Sequence, residues 1–496
     1  MTRTLRSDLT RCGWRRARKL VALAAWLAAA ASLALPAADW PTYRADAARS
    51  GVSPERLALP LAPLWTFKSP HAPQPAWSGE AKADLYNKVY DLSHRQAFDR
   101  CFDVVAADGR VWFGSSADDQ VRCLDATSGE QRWSFFAEGP VRLAPAWDQG
   151  RLYAGSDDGL VYCLTANEGE LIWKTRLGPR DYRIPGNRRV ISAWPVRTSV
   201  VVRDGVAYAC GGMFPSEGVY VCALEAKTGV IKWQTVQRDL PAQGYLLASA
   251  DRLYVPAGRD NPVVFERATG KRLRVVEGAG GTYALLTGDG LVFGPGKSGQ
   301  LGLVPGETSD QLATFQGNHM IVTPGVSYLH SETELSALNR ARYIELARQK
   351  SALATRRADL NKRLKQAEKN RDETDRAKLK DEFVKLGEEM DRLAREMGEC
   401  VLWKRPCAQP YCLILAGETL LAGGRSEVAA LSGTDGKPVW QGAVTGRAFG
   451  LAVAAGRLFV STDSGTIHCF GAPAQRSQGR VAPPASSVPT PPATVN

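Results

Sequence analysis

The chain has 496 residues, 44% of them hydrophobic and 23% charged, so it can build a large core and is not a disordered polyelectrolyte. Its formal net charge is +12, but Arg3, Arg6, Arg11, Arg15, Arg16, Arg18 and Lys19 lie in the first 38 residues with only Asp8 against them. The rest carries half of that excess, which is weak support for binding nucleic acid or an anionic membrane.

The basic N-terminus runs into the apolar stretch 20–35 and then small residues before Asp39. That order predicts a secretory signal over 1–38 and export to the periplasm. Retention as an anchor is the alternative, and the apolar run is short for a full span. Cys12 precedes the apolar run, so it cannot be a lipobox cysteine.

From residue 102 a phrase recurs: LDATSGEQRW at 124–133, LTANEGELIW at 164–173, LEAKTGVIKW at 224–233 and LSGTDGKPVW at 431–440. Each has an apolar start, a polar turn with Gly sixth, and Trp tenth. Short β-rich runs separated by turns such as D-Q-G and S-D-D-G surround each copy, four runs to a unit of about 40 residues. This predicts an all-β, eight-bladed β-propeller of four-stranded antiparallel blades over 39–470, with seven blades as the alternative. The last unit lacks a fourth strand, and LWTF at 64–67 supplies one, closing the ring and removing an open edge. The docking tryptophans are Trp65, Trp133, Trp173, Trp233, Trp403 and Trp440, with Leu273 and Ala313 where two further ones would fall.

Cys123, Cys163, Cys222 and Cys469 are expected at one repeated strand position, as small buried residues. Disulfides near Cys210–Cys222 and Cys400–Cys412 stay open.

The sixth unit is interrupted. Residues 339–399 lack Pro, and Leu346, Leu353 and Leu360 recur every seven residues, as do Leu379, Leu386 and Leu393. A helical coiled-coil hairpin inserted in the blade is predicted. Residues 338–371 hold eleven basic and three acidic side chains; residues 372–399 hold six and ten. Two readings follow: a self-contained solvated hairpin, or a docking arm with its basic helix outward. Deleting 341–398 is expected to leave a folded propeller. Residues 471–496, rich in Pro, read as a disordered tail.

Loops of the second to fourth units concentrate Arg188, Arg189, Trp194, Arg197, Glu217, Gln243, Tyr245, Arg259, Asp260 and Asn261. Guanidiniums beside aromatics suit an anionic or planar ligand at a funnel mouth. The competing reading is that these side chains tie neighbouring blades together. His94 and His319 are read as funnel groups or hydrogen-bonded structural residues. No catalytic residue and no metal ligand set is assigned.

The phrase resembles the tryptophan-docking repeat of the PQQ-like (quinoprotein-type) β-propeller family, which includes quinoprotein alcohol dehydrogenases and the outer-membrane assembly factor BamB. DWPTYRADAARSGVSPE at 39–55 is similar to the entry segment of exported members. The resemblance implies one of two functions. The first is a monomeric non-enzymatic scaffold with an envelope protein partner, no cofactor, no nucleic acid and at most peripheral membrane contact. The second is a small-molecule binder or oxidoreductase using PQQ with calcium. Against the second, the vicinal cysteine pair of the quinoprotein enzymes is missing.

Overall fold

The computed structural model describes residues 38–76, 98–258, 260–277, 281, 283–294, 300–306, 311–370 and 373–473. Each copy of the phrase forms the hairpin between the third and fourth strands of an antiparallel unit. In unit 1 the strands are Val105–Ala107, Arg110–Gly114, Gln120–Asp125 and Gln131–Phe136. Units 2 to 6 repeat this order over 146–176, 201–237, 247–275, 283–316 and 319–406.

Units 7 and 8 share one long strand, Pro438–Ala454, whose first part pairs with Arg425–Ser432 and whose second part pairs with Arg457–Thr462. Ala62–Lys68 pairs antiparallel with Thr466–Gly471, so the fourth strand of unit 8 comes from the start of the described chain. There are thus eight four-stranded units. The first strand of each touches that of the next, and the last touches the first. Burial grades outward: Val105–Ala107 is wholly buried, while Gln131–Phe136 alternates between half-buried and exposed.

The tryptophans stitch each unit to the next. Trp65, Trp133, Trp173, Trp233 and Trp403 donate Nε1–H to the carbonyls of Ala126, Ala166, Ala226, Arg267 and Gly433, at 2.9–3.2 Å. Each acceptor is the third residue of the following unit's phrase. Trp440 donates to Leu61 at 2.9 Å and joins unit 7 to the closing strand.

Strand register corrects one sequence assignment. Val264 faces Arg274, as Cys123 faces Trp133, so Arg274 rather than Leu273 stands in the tryptophan position of unit 4. Its Nη2 donates to Pro305 O at 3.1 Å and to Gly306 O at 2.9 Å, the carbonyl an indole would have used. Leu273 points outward, 43% exposed. Register also separates Cys222 from its supposed equivalents: it faces Gln234, while Ala223 faces the tryptophan. The nine described cysteines are buried free thiols.

Helices α1 (Arg340–Asn370) and α2 (Glu373–Glu399) lie between the paired strands Glu334–Leu338 and Val401–Pro406. Their base is part of the ring core. Ile344, Leu346, Ala347 and Leu393 are buried with Leu303, Ala313 and Phe315 of unit 5. Tyr343 supplies what Ala313 lacks: its ring lies 5.2 Å from Phe315 and its hydroxyl donates to Thr314 O at 2.8 Å. Among the described residues no helix is long and apolar enough to cross a membrane.

The segment 40–55 winds around the ring axis inside the units. Trp40 bonds Ala106 of unit 1, and Pro41 O accepts from Trp147 of unit 2. Ala47, Ala48 and Gly51 carbonyls accept from Ala248, Leu286 and Leu415 of units 4, 5 and 7. Arg44 donates to Leu413 O and Arg49 to Leu246 O, each at 2.9 Å. These strands enclose the segment, and it satisfies their free inner edges.

Candidate functional site

The strand-linking loops of units 1 to 3 bring charged side chains together at the inner edge of the ring. Asp157 comes from the S-D-D-G turn of unit 2, Arg142 from the loop entering that unit, and Arg197 from the loop entering unit 3. Arg142 Nε lies 2.7 Å from Asp157 Oδ2, and its Nη1 lies 2.7 Å from Asp99 Oδ2. Arg197 grips Asp157 with Nε and Nη2, both at 3.0 Å, and donates to Asn187 Oδ1 at 2.7 Å. Asp99 and Asp157 are fully buried, and both arginine side chains are 3% exposed.

The cluster is electrically balanced, two guanidiniums against two carboxylates. Burial raises the pKa of Asp99, and Arg142 offsets part of that rise. Burial also opposes the charge on Arg142, yet Asp157 and Asp99 outweigh it and hold its pKa above the ordinary value. Asp99 Oδ1 has no hydrogen-bond partner among the described residues.

A hairpin, Arg183–Gly186 with Arg189–Ser192, folds over this cluster. Asn187 at its tip donates to Ala76 O at 2.5 Å. Arg189 reaches unit 1, where Nη1 lies 2.9 Å from both oxygens of Asp119.

The residues singled out in the sequence divide by environment. Arg189 and Arg197 are held in inter-unit ion pairs. Trp194 is 4% exposed, and its Nε1 donates to Glu217 O at 3.0 Å. The Glu217 carboxylate is exposed, at the end of the short turn Pro215–Glu217. Arg188, at the hairpin tip, and Asp260 are also exposed. Asn261 donates to Glu277 at 2.8 Å. Gln243 is half-buried, and its Oε1 has no hydrogen-bond partner among the described residues. Arg259 and His94 lie outside the described residues.

Tyr245 belongs to a second cluster, on the axis. Its ring stacks on Tyr43 of the winding segment, with centroids 3.5 Å apart and planes at 7°. Its hydroxyl donates to Asp103 Oδ2 at 2.8 Å. Burial raises the pKa of Asp103 to about 6, against the lowering effect of hydrogen bonds from Tyr245 and Cys101. A hollow lined by Tyr43, Arg44, Tyr245, Tyr283 and Phe293 opens beside this stack.

The sequence reading missed Asp157, Arg142, Asp99 and Asn187. S-D-D-G read only as a turn, and nothing local marks Arg142 as the partner of a carboxylate fifteen residues on. Among the described residues no group of three His, Cys, Asp or Glu side chains is placed to hold a metal ion.

Residues 100–292 match the family model described as outer membrane protein assembly factor BamB. The quinone alcohol dehydrogenase, dehydrogenase subunit, of Gluconacetobacter polyoxogenes is 24% identical over 174 residues, 30% of this chain and 22% of that protein. BamB of Yersinia pestis is 24% identical over 174 residues, 34% of this chain and 41% of that protein. The chain thus matches well under half the length of these relatives. The crystal structure of quinohemoprotein alcohol dehydrogenase from Comamonas testosteroni superposes with a TM-score of 0.56 at 13% identity, covering 88% of this chain and 80% of that one. At that identity the likeness is one of fold. The recurring tryptophan phrase, the ring of four-stranded units and the match over residues 100–292 make this chain similar to the PQQ-like β-propeller repeat proteins.

Proposed function

We propose that the protein is an exported, non-enzymatic, eight-bladed propeller that acts as a monomeric scaffold for a protein partner in the cell envelope, in or near outer-membrane protein assembly. In this reading residues 1–38 are the export signal, and α1 and α2 are an insertion in the sixth blade. The likeness to BamB over residues 100–292 supports it.

The observation that carries the reading is that, among the described residues, the chain's own groups occupy the ring axis and pair the buried arginines at its mouth. The axis holds the segment 40–55 with its Tyr43–Tyr245 stack, and the arginines at the mouth are already neutralised by Asp99 and Asp157. A calcium-bound quinone needs free carboxylates for the metal and free cations for its own carboxylates. The described residues here fit that group poorly, because these acids and bases are spent on one another. Among the described loop residues singled out in the sequence, Arg188, Glu217 and Asp260 are the exposed side chains available to a partner.

Affinity purification from the native envelope, read by mass spectrometry, tests the proposal. One or a few envelope proteins should co-purify in stoichiometric amount. Recovery of the chain alone, together with a quinone absorbance change on addition of PQQ and calcium, would sink it.

A further inference from the structure

Beyond Leu353 the two helices part from the ring and pack on each other. Leu360, Ala367, Leu379 and Leu386, with Leu364 and Phe383 beside them, form a core separate from that of unit 5. With 31 residues, α1 is about 46 Å long. Its outer half is therefore a rod with one face on α2 and the other in solvent.

The solvent face is cationic. Lys362, Lys365 and Lys369 recur at spacings of three and four, on the side of α1 away from Leu360 and Ala367. Arg348 lies two heptads before Lys362, and Arg363 lies beside it. All five are exposed, and none forms an ion pair among the described residues. Of the cations nearer α2, Arg342 pairs with Glu345 and Glu396, Arg356 with Glu382, and Arg357 lies over the Phe383 ring. Of the nearby acids on α1, Glu368 is turned to Arg376, while Asp359 shares the outer face.

Between the cations that face carries Ser351, Thr355 and Ala358. It has no aromatic and no large aliphatic side chain. Energetic centres of protein interfaces are aromatic or arginine anchors in desolvated pockets; this stripe has no aromatic side chain, and its two arginines, Arg348 and Arg363, stand exposed with no pocket around them. Lysine is a compact, strongly hydrated charge on a flexible stem, suited to a diffuse negative surface and not to a fitted contact. We propose that this stripe lays the arm along an anionic phospholipid surface, held by electrostatics alone. Such a contact requires no apolar insertion, and each cation contributes roughly fivefold to the partition. It is independent of whatever partner the ring loops take.

The purified protein is mixed with sedimenting vesicles of phosphatidylcholine alone, or with about one-third phosphatidylglycerol. The protein should pellet with the anionic vesicles only and be released as salt shortens the screening length to about 3 Å near 1 M. K362Q/K365Q/K369Q should lower the partition about 100-fold with an unchanged circular dichroism spectrum. K227Q/K232Q/K271Q, which removes three exposed lysines from the ring's outer hairpins, should bind as the parent does. Equal pelleting with neutral vesicles overturns the proposal, as does full binding by the arm variant. Failure to bind vesicles while an acidic peptide or duplex DNA is retained in an arm-dependent way assigns the stripe to another polyanion and also overturns it.

Discussion

The indole of Trp133 lies where a side chain on Gly169 would have to go: a Cβ there would fall 2.5 Å from the ring. The same relation links Trp65 to Gly129, Trp173 to Gly229 and Trp403 to Gly436, always from one unit to the next. The two fixed letters of the phrase are therefore halves of one contact. Gly169 also has φ +74°, so turn geometry and ring contact act on one residue.

These two demands are separable. Gly109 has φ +70° and nothing within 4 Å of a Cβ. Gly109→Ala should cost only the left-handed strain, about 1–2 kcal/mol. Gly169→Ala should cost that plus overpacking of about 1–3 kcal/mol. Urea denaturation of both variants measures the difference, and equal losses would show that the indole yields freely.

How far the sequence reached follows from this contact. The fold was legible because turn and tryptophan recur in phase, a local signal repeated many times. The exceptions were less so. Arg274 was overlooked because the eye seeks an apolar replacement for Trp, whereas what unit 5 needs is a donor to Gly306 O. Sequence position 309, the sixth of that phrase, is Ser and not Gly. The loop arginines Arg189 and Arg197 were found by composition, but their partners Asp119 and Asp157 come from other loops, and no spacing rule connects them. The arm's heptads were plain, yet its base proved to be ring core, since burial against Phe315 leaves no mark in a helical period.

The arm can therefore be shortened but not removed. Deleting 341–398 would take away Ile344, Leu346 and Leu393 from the core and Tyr343 from Phe315. That variant should lose several kcal/mol, as expected for several large-to-small changes in one core. Replacing 354–385 by a short Gly-Ser link spares those contacts and should keep the melting temperature within a few degrees. Comparable melting of the two variants would mean that the base contributes little.

Arg197 and Arg188 should part company. Arg197→Ala leaves the buried Asp157 with Arg142 alone, and breaking a buried pair in this way costs about 3–5 kcal/mol. Arg188→Ala removes an exposed side chain and should stay within about 0.5 kcal/mol. Loss of partner recovery in Arg188→Ala at unchanged stability would mark the hairpin tip as a docking point. An Arg197→Ala variant as stable as its parent would release that residue from its structural role.

Two groups, the half-buried Asp103 and the buried His330, are set to titrate in opposition between pH 4 and 6.5. Burial raises the pKa of Asp103 from 3.8 to about 6, so the fold prefers its neutral form. The unfolded chain releases that proton first, and stability falls by up to about 3 kcal/mol as pH rises through this window. Burial lowers the pKa of His330 from 6.5 to about 4, against a smaller upward effect of a hydrogen bond with the Gln409 backbone. Here the unfolded chain binds the proton first, so stability falls by a similar amount as pH drops from 6.5 towards 4. The two slopes nearly cancel in the parent protein. Asp103→Asn should unmask the histidine, giving stability that rises with pH relative to the parent. His330→Gln should unmask the aspartate and give the reverse. Denaturant midpoints at pH 4.5 and 7 for the three proteins decide the matter, because carboxylates common to all drop out of the differences. Parallel pH profiles would show that neither group is desolvated enough to shift. Profiles that diverge in the stated directions would place Asp103, beneath the Tyr43–Tyr245 stack, as a neutral acid in the ring axis at mildly acidic pH.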